Sequence, residues 1–162
     1  MTLLPILAVV ALILLDQGTK LWALASLKPI QRITLVKGFM DLEFVENTGV
    51  AMGMLDGQRW LILITTVAIT VGLIWFYRTM PKKKEYFPVR VSLVLVLSGA
   101  IGNIIDRLFR GYVVDFFKFT FVRWYVFNVA DIYVVVGVIL LALMIIFVVK
   151  DEDLDFKKKK DE

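Results

Sequence analysis

An α-helical membrane protein with four transmembrane helices, and a short β-segment between the first and second, is what this sequence predicts. Three observations carry the prediction. Of the 162 residues, 59% are hydrophobic and 21% charged, where a water-soluble domain is about half apolar and a quarter charged. The apolar excess is gathered into four runs of about 20 residues, the length a helix needs to cross a hydrocarbon core roughly 30 Å thick. Short polar segments separate the runs. No water inside a bilayer can satisfy backbone groups, so each run is expected to be helical.

The first run, Leu3 to Leu27, is interrupted by Asp16 and Lys20. It has neither a basic stretch ahead of it nor a small-x-small site after it, so it reads as a retained span and not a cleaved signal peptide. In the segment 29–58, Met40, Leu42 and Phe44 alternate with Asp41 and Glu43, the period-two pattern of a half-buried strand. Gln31 to Val36 predicts a second strand, with Lys37-Gly38 as the turn. The second span, Trp60 to Tyr77, contains no charge. The third, Val89 to Phe109, carries Asn103, Asp106 and Arg107 near its end, and the fourth, Val129 to Val149, carries Asp131 near its start. The expected organisation is one membrane domain over residues 1–150, with helices near 3–27, 60–78, 89–109 and 129–149, then a solvated charged tail over 151–162.

Four spans place both termini on one side. Arg78, Lys82, Lys83, Lys84 and Arg90 lie between spans two and three, and Lys150 and Lys157 to Lys160 follow span four. By the positive-inside rule that side is cytoplasmic, although Lys28, Arg32, Lys37, Arg59, Arg110, Lys118 and Arg123 soften the bias. The net charge of +4 comes mostly from these loop and terminal residues. It bears on topology and lipid headgroups, and no nucleic-acid partner is expected.

The composition also narrows the chemistry. There is no Cys and no His, which removes disulfides, thiol nucleophiles, imidazole bases and thiolate or imidazole metal sites. Carboxylates, Lys, Ser/Thr and backbone groups remain. A metal site made of oxygens alone would call for more carboxylates at fixed spacing, and neither metal nor cofactor is expected.

An ionisable residue inside a span costs about 2.5–3.5 kcal/mol on insertion scales, so it usually has a partner or a function. Spans one and three run the same way and carry Asp16, Lys20, Asn103, Asp106 and Arg107 in their later halves, while span four runs back and carries Asn128 and Asp131 at its start. All of these, with the strand segment and Asp115, therefore belong to one membrane face, the outer one under positive-inside. Simpler roles exist for several of them. Asp16 and Lys20 fit an i,i+4 ion pair with Lys20 snorkelling to the interface. Asp106 and Arg107 fit a helix-end pair, and Asn103 and Asn128 fit hydrogen bonds between helices. Asp115 fits an exposed acid in the loop Gly111–Phe127.

Asp131 has no basic residue within a helical turn, and Asp115 lies among Val113, Val114, Phe116 and Phe117. Two such carboxylates in a water-poor place share a proton and titrate as a unit. One can activate water while the other hydrogen-bonds the carbonyl under attack. The residues point to a membrane-embedded aspartic peptidase, with a small proton-coupled transporter and a non-catalytic scaffold as the alternatives. Clustering at one leaflet counts against transport.

At these positions the sequence resembles the bacterial lipoprotein signal peptidases (type II signal peptidases, or prolipoprotein signal peptidases) from about Leu12 to Val149. Asp16-Gln17-Gly18-Thr19-Lys20 is similar to the family's D-x-x-[ST]-K block, and Asn47-Thr48-Gly49-Val50-Ala51 to its N-x-G-x-A block. Gly99 to Arg107 resembles G-x-x-G-N-x-x-D-R, and Val113-Val114-Asp115-Phe116 and Phe127 to Asp131 resemble the two catalytic-aspartate blocks. The resemblance implies an intramembrane aspartic endopeptidase of the bacterial cytoplasmic membrane, with its active site near the outer leaflet. Its substrates would be prolipoproteins carrying diacylglyceryl cysteine, cut on the amino side of that cysteine. It further implies substrate contacts from Asn47, Gly99, Asn103, Arg107 and Asn128, support from Asp16, Lys20 and Asp106, and a small extracytoplasmic sheet that cradles the substrate. Membrane lipids and globomycin-type cyclic peptides are the other expected partners, and the chain is expected to act as a monomer. It departs from the family pattern in Ile132, where Ser is common, in Met52, where Phe is usual, and in a short Asp115–Asp131 connection.

Overall fold

The computed structural model describes residues 3–50, 54–122 and 124–147. Met52, the end of the fourth span beyond residue 147 and the tail 151–162 lie outside the described residues. In chain order the elements are α1 (Leu3–Trp22), extended by a π-helical turn (Ala23–Leu27), β1 (Arg32–Val36), β2 (Met40–Asn47) and α2 (Arg59–Thr79). A 3-10 turn (Lys84–Tyr86) then leads into α3 (Phe87–Phe109), followed by β3 (Val113–Phe119) and α4 (Val129–Phe147).

All four helices are long and apolar enough to cross a membrane, at 25, 21, 26 and 19 residues when the leading and trailing turns are included. Their outer faces expose Leu14, Ile64, Trp75, Val138 and Ile146, while Asp16, Lys20, Asp106, Arg107 and Asn128 are buried. This inside-out distribution suits a lipid solvent, in which an outward Leu costs nothing and an outward charge costs several kcal/mol. Hydroxyls within the spans bond back to their own helix. Thr70 donates to the Thr66 carbonyl and Ser98 to the Val94 carbonyl, each at 2.7 Å, so they need no external partner.

Helix α3 packs against the other three, and two glycines set its approach to α4. A Cβ on Gly99 would stand 2.3 Å from the Ala130 carbonyl oxygen, and one on Gly137 would stand 2.7 Å from Val96 Cγ2 and 2.8 Å from the Ser92 carbonyl oxygen. Small residues at a crossing let backbones meet closely, which replaces the hydrophobic drive that lipid removes. Tyr77, Met80, Tyr86, Val89 and Leu93 form an apolar cluster where α2 turns into α3.

The sheet is three-stranded and antiparallel in the order β1-β2-β3. The two expected strands are present as β1 and β2, with Ile33 opposite Leu42. The third strand comes from the connection between α3 and α4, so the reading of residues 111–127 as a loop is corrected. It pairs Asp115 with Val45 and Val113 with Asn47 beyond a register shift that falls between Leu42 and Val45 of β2. Its other edge is closed by Phe127, whose N–H donates to the Phe117 carbonyl at 2.9 Å and whose carbonyl accepts from Phe117 at 2.8 Å. Residues Val113 to Phe116 are all buried. A strand covered on both faces shows no polar alternation, and that pattern conceals it in the sequence. Beneath the sheet, Phe44, Val114 and Phe116 pack on Ala23 and Leu27, fixing it to the end of the first span.

Gly137→Ala is expected to destabilise the protein by about 1–3 kcal/mol, the usual scale of overpacking. Gly72→Ala, where nothing lies within 4 Å of the added carbon, should not. Thermal unfolding of the two variants in detergent distinguishes them.

Candidate active site

Asp115 and Asp131 come from different elements and meet through Asn128. Asn128 precedes the first residue of α4 and acts as its N-cap. Its Oδ1 accepts from the Asp131 N–H at 3.0 Å, and Asp131 Oδ2 accepts from the Asn128 N–H at 3.1 Å. This reciprocal pair is a capping box with Asp131 as its member in the first turn, three residues after the cap. It holds Asp131 in one rotamer at the positive end of the helix dipole. Asn128 Nδ2 in turn donates to Asp115 Oδ1 at 2.6 Å. One side chain thus fixes the helix start and orients both acids.

Each carboxylate has a second amide donor. Asn47 Nδ2, at the end of β2, donates to Asp115 Oδ2 at 2.8 Å, and Asn103 Nδ2, on α3, donates to Asp131 Oδ1 at 2.9 Å. Asp115 is 1% exposed. Burial foremost, and then the charge of Asp131, push its carboxyl up to about 7, against the pull of the Asn47 and Asn128 donors and of Lys20. A cavity of about 320 Å³ opens beside Asp115, lined also by Asn47, Gly49, Asp56, Tyr125 and Val126.

A layer of ion pairs lies behind the acids. Lys20 Nζ, with no exposure, is 2.9 Å from Asp16 Oδ2, 3.1 Å from Asp106 Oδ2 and 2.9 Å from Asn103 Oδ1. That last contact fixes the Asn103 amide so that its NH₂ points to Asp131. Asp16 Oδ1 accepts from the Ala130 N–H at 3.0 Å, and Asp106 Oδ2 accepts from the Val114 N–H at 3.1 Å. Each of these anions therefore grips the backbone next to one of the two aspartates. Gly102 makes room, since a Cβ there would stand 2.5 Å from Asp16 Oδ2.

Several sequence expectations change. Lys20 does not snorkel; it is enclosed, because two buried carboxylates hold it inward. Asp106 does not pair with Arg107. It pairs with Lys20 and Arg110, while Arg107 Nη2 donates to the Gly49 carbonyl at 2.8 Å and anchors the segment after β2. Asp115 lies in a strand and not in a loop, and it is buried, in keeping with its apolar neighbours. Asn47, Asn103, Asn128, Asp115 and Asp131 are brought together, with Asp16, Lys20 and Asp106 behind them and Arg107 at the side. Gly99 is not among them; it sits at the α3–α4 crossing against Ala130. Ile132 is 40% exposed. The sequence reading missed Gln17, whose Nε2 contacts Asp16 Oδ2, the Gly102 carbonyl and Asp106 Oδ1. Its place beside Asp16 in the first motif was the available signal. It also missed Tyr125 and Asp56, which no local pattern marks.

The family model for signal peptidase (SPase) II matches residues 8–147. The chain belongs to the signal peptidase II family. It is a peptidase by that membership. It is 38% identical over 145 residues to a lipoprotein signal peptidase of Clostridioides difficile, covering 90% of this chain and 96% of that one. With a lipoprotein signal peptidase of Clostridium acetobutylicum the identity is 44% over 156 residues, covering 94% and 98%. A bacterial membrane enzyme solved by the in meso method at 2.3 Å resolution superposes with a TM-score of 0.78 at 29% identity, covering 98% of this chain and 93% of that one.

Lys20→Met leaves Asp16 and Asp106 buried without their shared cation and is expected to cost about 3–5 kcal/mol. A fall in the thermal unfolding midpoint in detergent would register it, and unchanged stability would contradict the enclosed position of Lys20.

Proposed function

We infer that this signal peptidase II removes signal peptides from prolipoproteins by aspartic catalysis, with Asp115 and Asp131 as the acting pair. The observation that carries the reading is the junction at Asn128, which bonds to both acids while each keeps one further amide donor. Asp115, held up to about 7, is the protonated member. Asp131, at the helix N-terminus and on a backbone N–H, is the ionised one.

Water lies between the two acids, and Asp131 takes its proton as the oxygen attacks the scissile carbonyl. Asp115 hydrogen-bonds the carbonyl oxygen and gives its proton as the tetrahedral intermediate forms. On collapse the C–N bond breaks, the amine of the cysteine leaves with a proton from Asp131, one hydroxyl of the intermediate returns its proton to Asp115, and the signal peptide keeps the new carboxyl. The bond cut is on the amino side of a cysteine that bears diacylglycerol. Asn47, Asn103, Asn128 and Arg107 hold the substrate backbone near the acids, and the sheet supports it. Gly99 contributes through the helix crossing that brings α4 to α3. The enzyme works as a monomer in the bacterial cytoplasmic membrane, with both termini cytoplasmic and the pair near the outer leaflet, where globomycin-type cyclic peptides compete with substrate. The basic residues between α2 and α3 support that orientation.

Cleavage of a diacylglyceryl lipobox peptide by the detergent-purified chain tests the reading. Asp115→Asn and Asp131→Asn are each expected to lower the rate by at least about 100-fold, the loss of a general acid or base, in protein that still unfolds cooperatively. Full activity in either variant would exclude the pair. Because Asp115 must carry the proton, kcat/KM should fall as pH rises through about 7 and hold below it until Asp131 protonates. A rate that increases steadily with pH above 7 would reverse the assignment.

A further inference from the structure

A second cavity, of about 480 Å³, lies over the end of β3. Tyr125 lines it, and Tyr125 also lines the cavity at Asp115. Among the described residues Tyr125, stacked on Trp124 with ring centroids 5.1 Å apart, is the one that borders both. None of the catalytic steps above uses this second space.

Its lining has a definite chemistry. Arg32 and Lys118 line it, and their carboxylate partners do not. Asp41, 2% exposed, accepts from Arg32 Nε at 2.8 Å from behind. Glu43 accepts from Lys118 Nζ at 2.8 Å on both oxygens and stands 3.9 Å from Arg32 Nη1. The cations are held in place by these acids while both side chains line the cavity and stay partly exposed. Arg32 keeps 55% of its side chain exposed. Phe119, Trp124 and Tyr125 supply flat walls, and Thr120 Oγ1 is buried with no hydrogen-bond partner among the described residues.

The position of the cavity says what could reach it. Asp115 lies on β3, whose last residue Phe119 lines the cavity, and Asp131 opens the fourth span. A substrate whose apolar segment lies along the spans must leave the acids over the sheet. An extended chain advances roughly 3.3 Å per residue, so about two residues carry it past one tyrosine ring. Anchored cations favour a carboxylate or carboxamide through charge-assisted bonds, and aromatic walls accept peptide planes.

We propose that the cavity bounded by Arg32, Lys118, Thr120, Trp124 and Tyr125 binds the peptide that follows the cleavage-site cysteine, favouring an acidic or amide side chain about two residues beyond the scissile bond. This rests on the signal-peptidase reading and extends it to the far side of the cut.

Three lipid-modified peptides test it on the full chain. They share one signal segment. One ends at the amidated cysteine, one continues for three residues beyond it with Asp as the first, two residues past the scissile bond, and one has Lys in place of that Asp. In the wild type the Asp peptide should be cleaved with kcat/KM higher than the short one by on the order of tenfold, through KM, the gain of one charge-assisted contact. Trp124→Ala should bring that ratio toward one, and Lys118→Gln should abolish the preference for Asp over Lys. Cleavage of the short peptide by each variant serves as the measure of folding. A wild-type ratio near one, or a ratio that neither substitution moves, overturns the subsite while leaving the peptidase reading intact. Failure of the wild type to cut any of the three overturns both. An advantage that follows added anionic lipid and not peptide length assigns the cavity to a lipid headgroup instead.

Discussion

Lys20 is enclosed by Asp16, Asp106 and Asn103 with no exposure, and a bilayer offers no water to replace any of them. An ammonium in that position must be matched by the protein, and a carboxylate beside it would be equally costly alone. The outcome is a fixed cluster in which α1 and α3 are locked together at one height in the membrane. Everything at the site hangs from it. Asp16 reaches across to the backbone of α4, Asp106 reaches to the start of β3, and Lys20 sets the orientation of Asn103. The two aspartates are placed by neighbours that are themselves unable to move.

This arrangement separates two demands that conflict. The acid pair proposed above needs unlike protonation states in a place poor in water, and such a place favours two neutral acids. The amides of Asn47, Asn103 and Asn128 resolve this without adding charge. They supply donors to both carboxylates, and their geometry leaves Asp131 on a helix N-terminus and Asp115 in the apolar body of a strand. The cations stay one layer back, or to the side in Arg107, where they raise the local potential without forming a direct ion pair that would hold either acid permanently ionised.

The bundle and the sheet are joined at the same point. Val114 and Phe116 bury one side of β3 against Ala23 and Leu27, while Asp115, between them in sequence, turns to the acids. The alternation of a strand places a hydrophobic anchor and a buried carboxylate on neighbouring residues. At the crossing of α3 and α4, the glycines at 99 and 137 bring α4 close enough for its first turn to reach Asp16 and Asn103. Close packing in the apolar layer and polar precision at its edge are one construction.

Local signals were legible in the sequence. Four apolar runs gave the spans, the Met40–Phe44 alternation gave β2, and polar residues in the later halves of spans one and three and the first turn of span four placed the site at one face. The motifs named the acids and most of their amides. The sequence did not reveal β3, because covering on both faces erases the polar alternation that marks a strand. It favoured pairing Asp106 with Arg107 and left Lys20 open between an interfacial ion pair and a role at the site, because spacing along one helix shows neighbours on that helix and nothing of the neighbouring ones. Tyr125 and the second cavity had no sequence signature at all. The sequence by itself determined which residues lie in lipid and which ionisable groups the membrane must hide. Only the tertiary structure decided which of those groups satisfy one another, because hydrophobic periodicity is a property of one segment, whereas a buried charge is neutralised by whichever partner the packing of separate segments brings within about 3 Å.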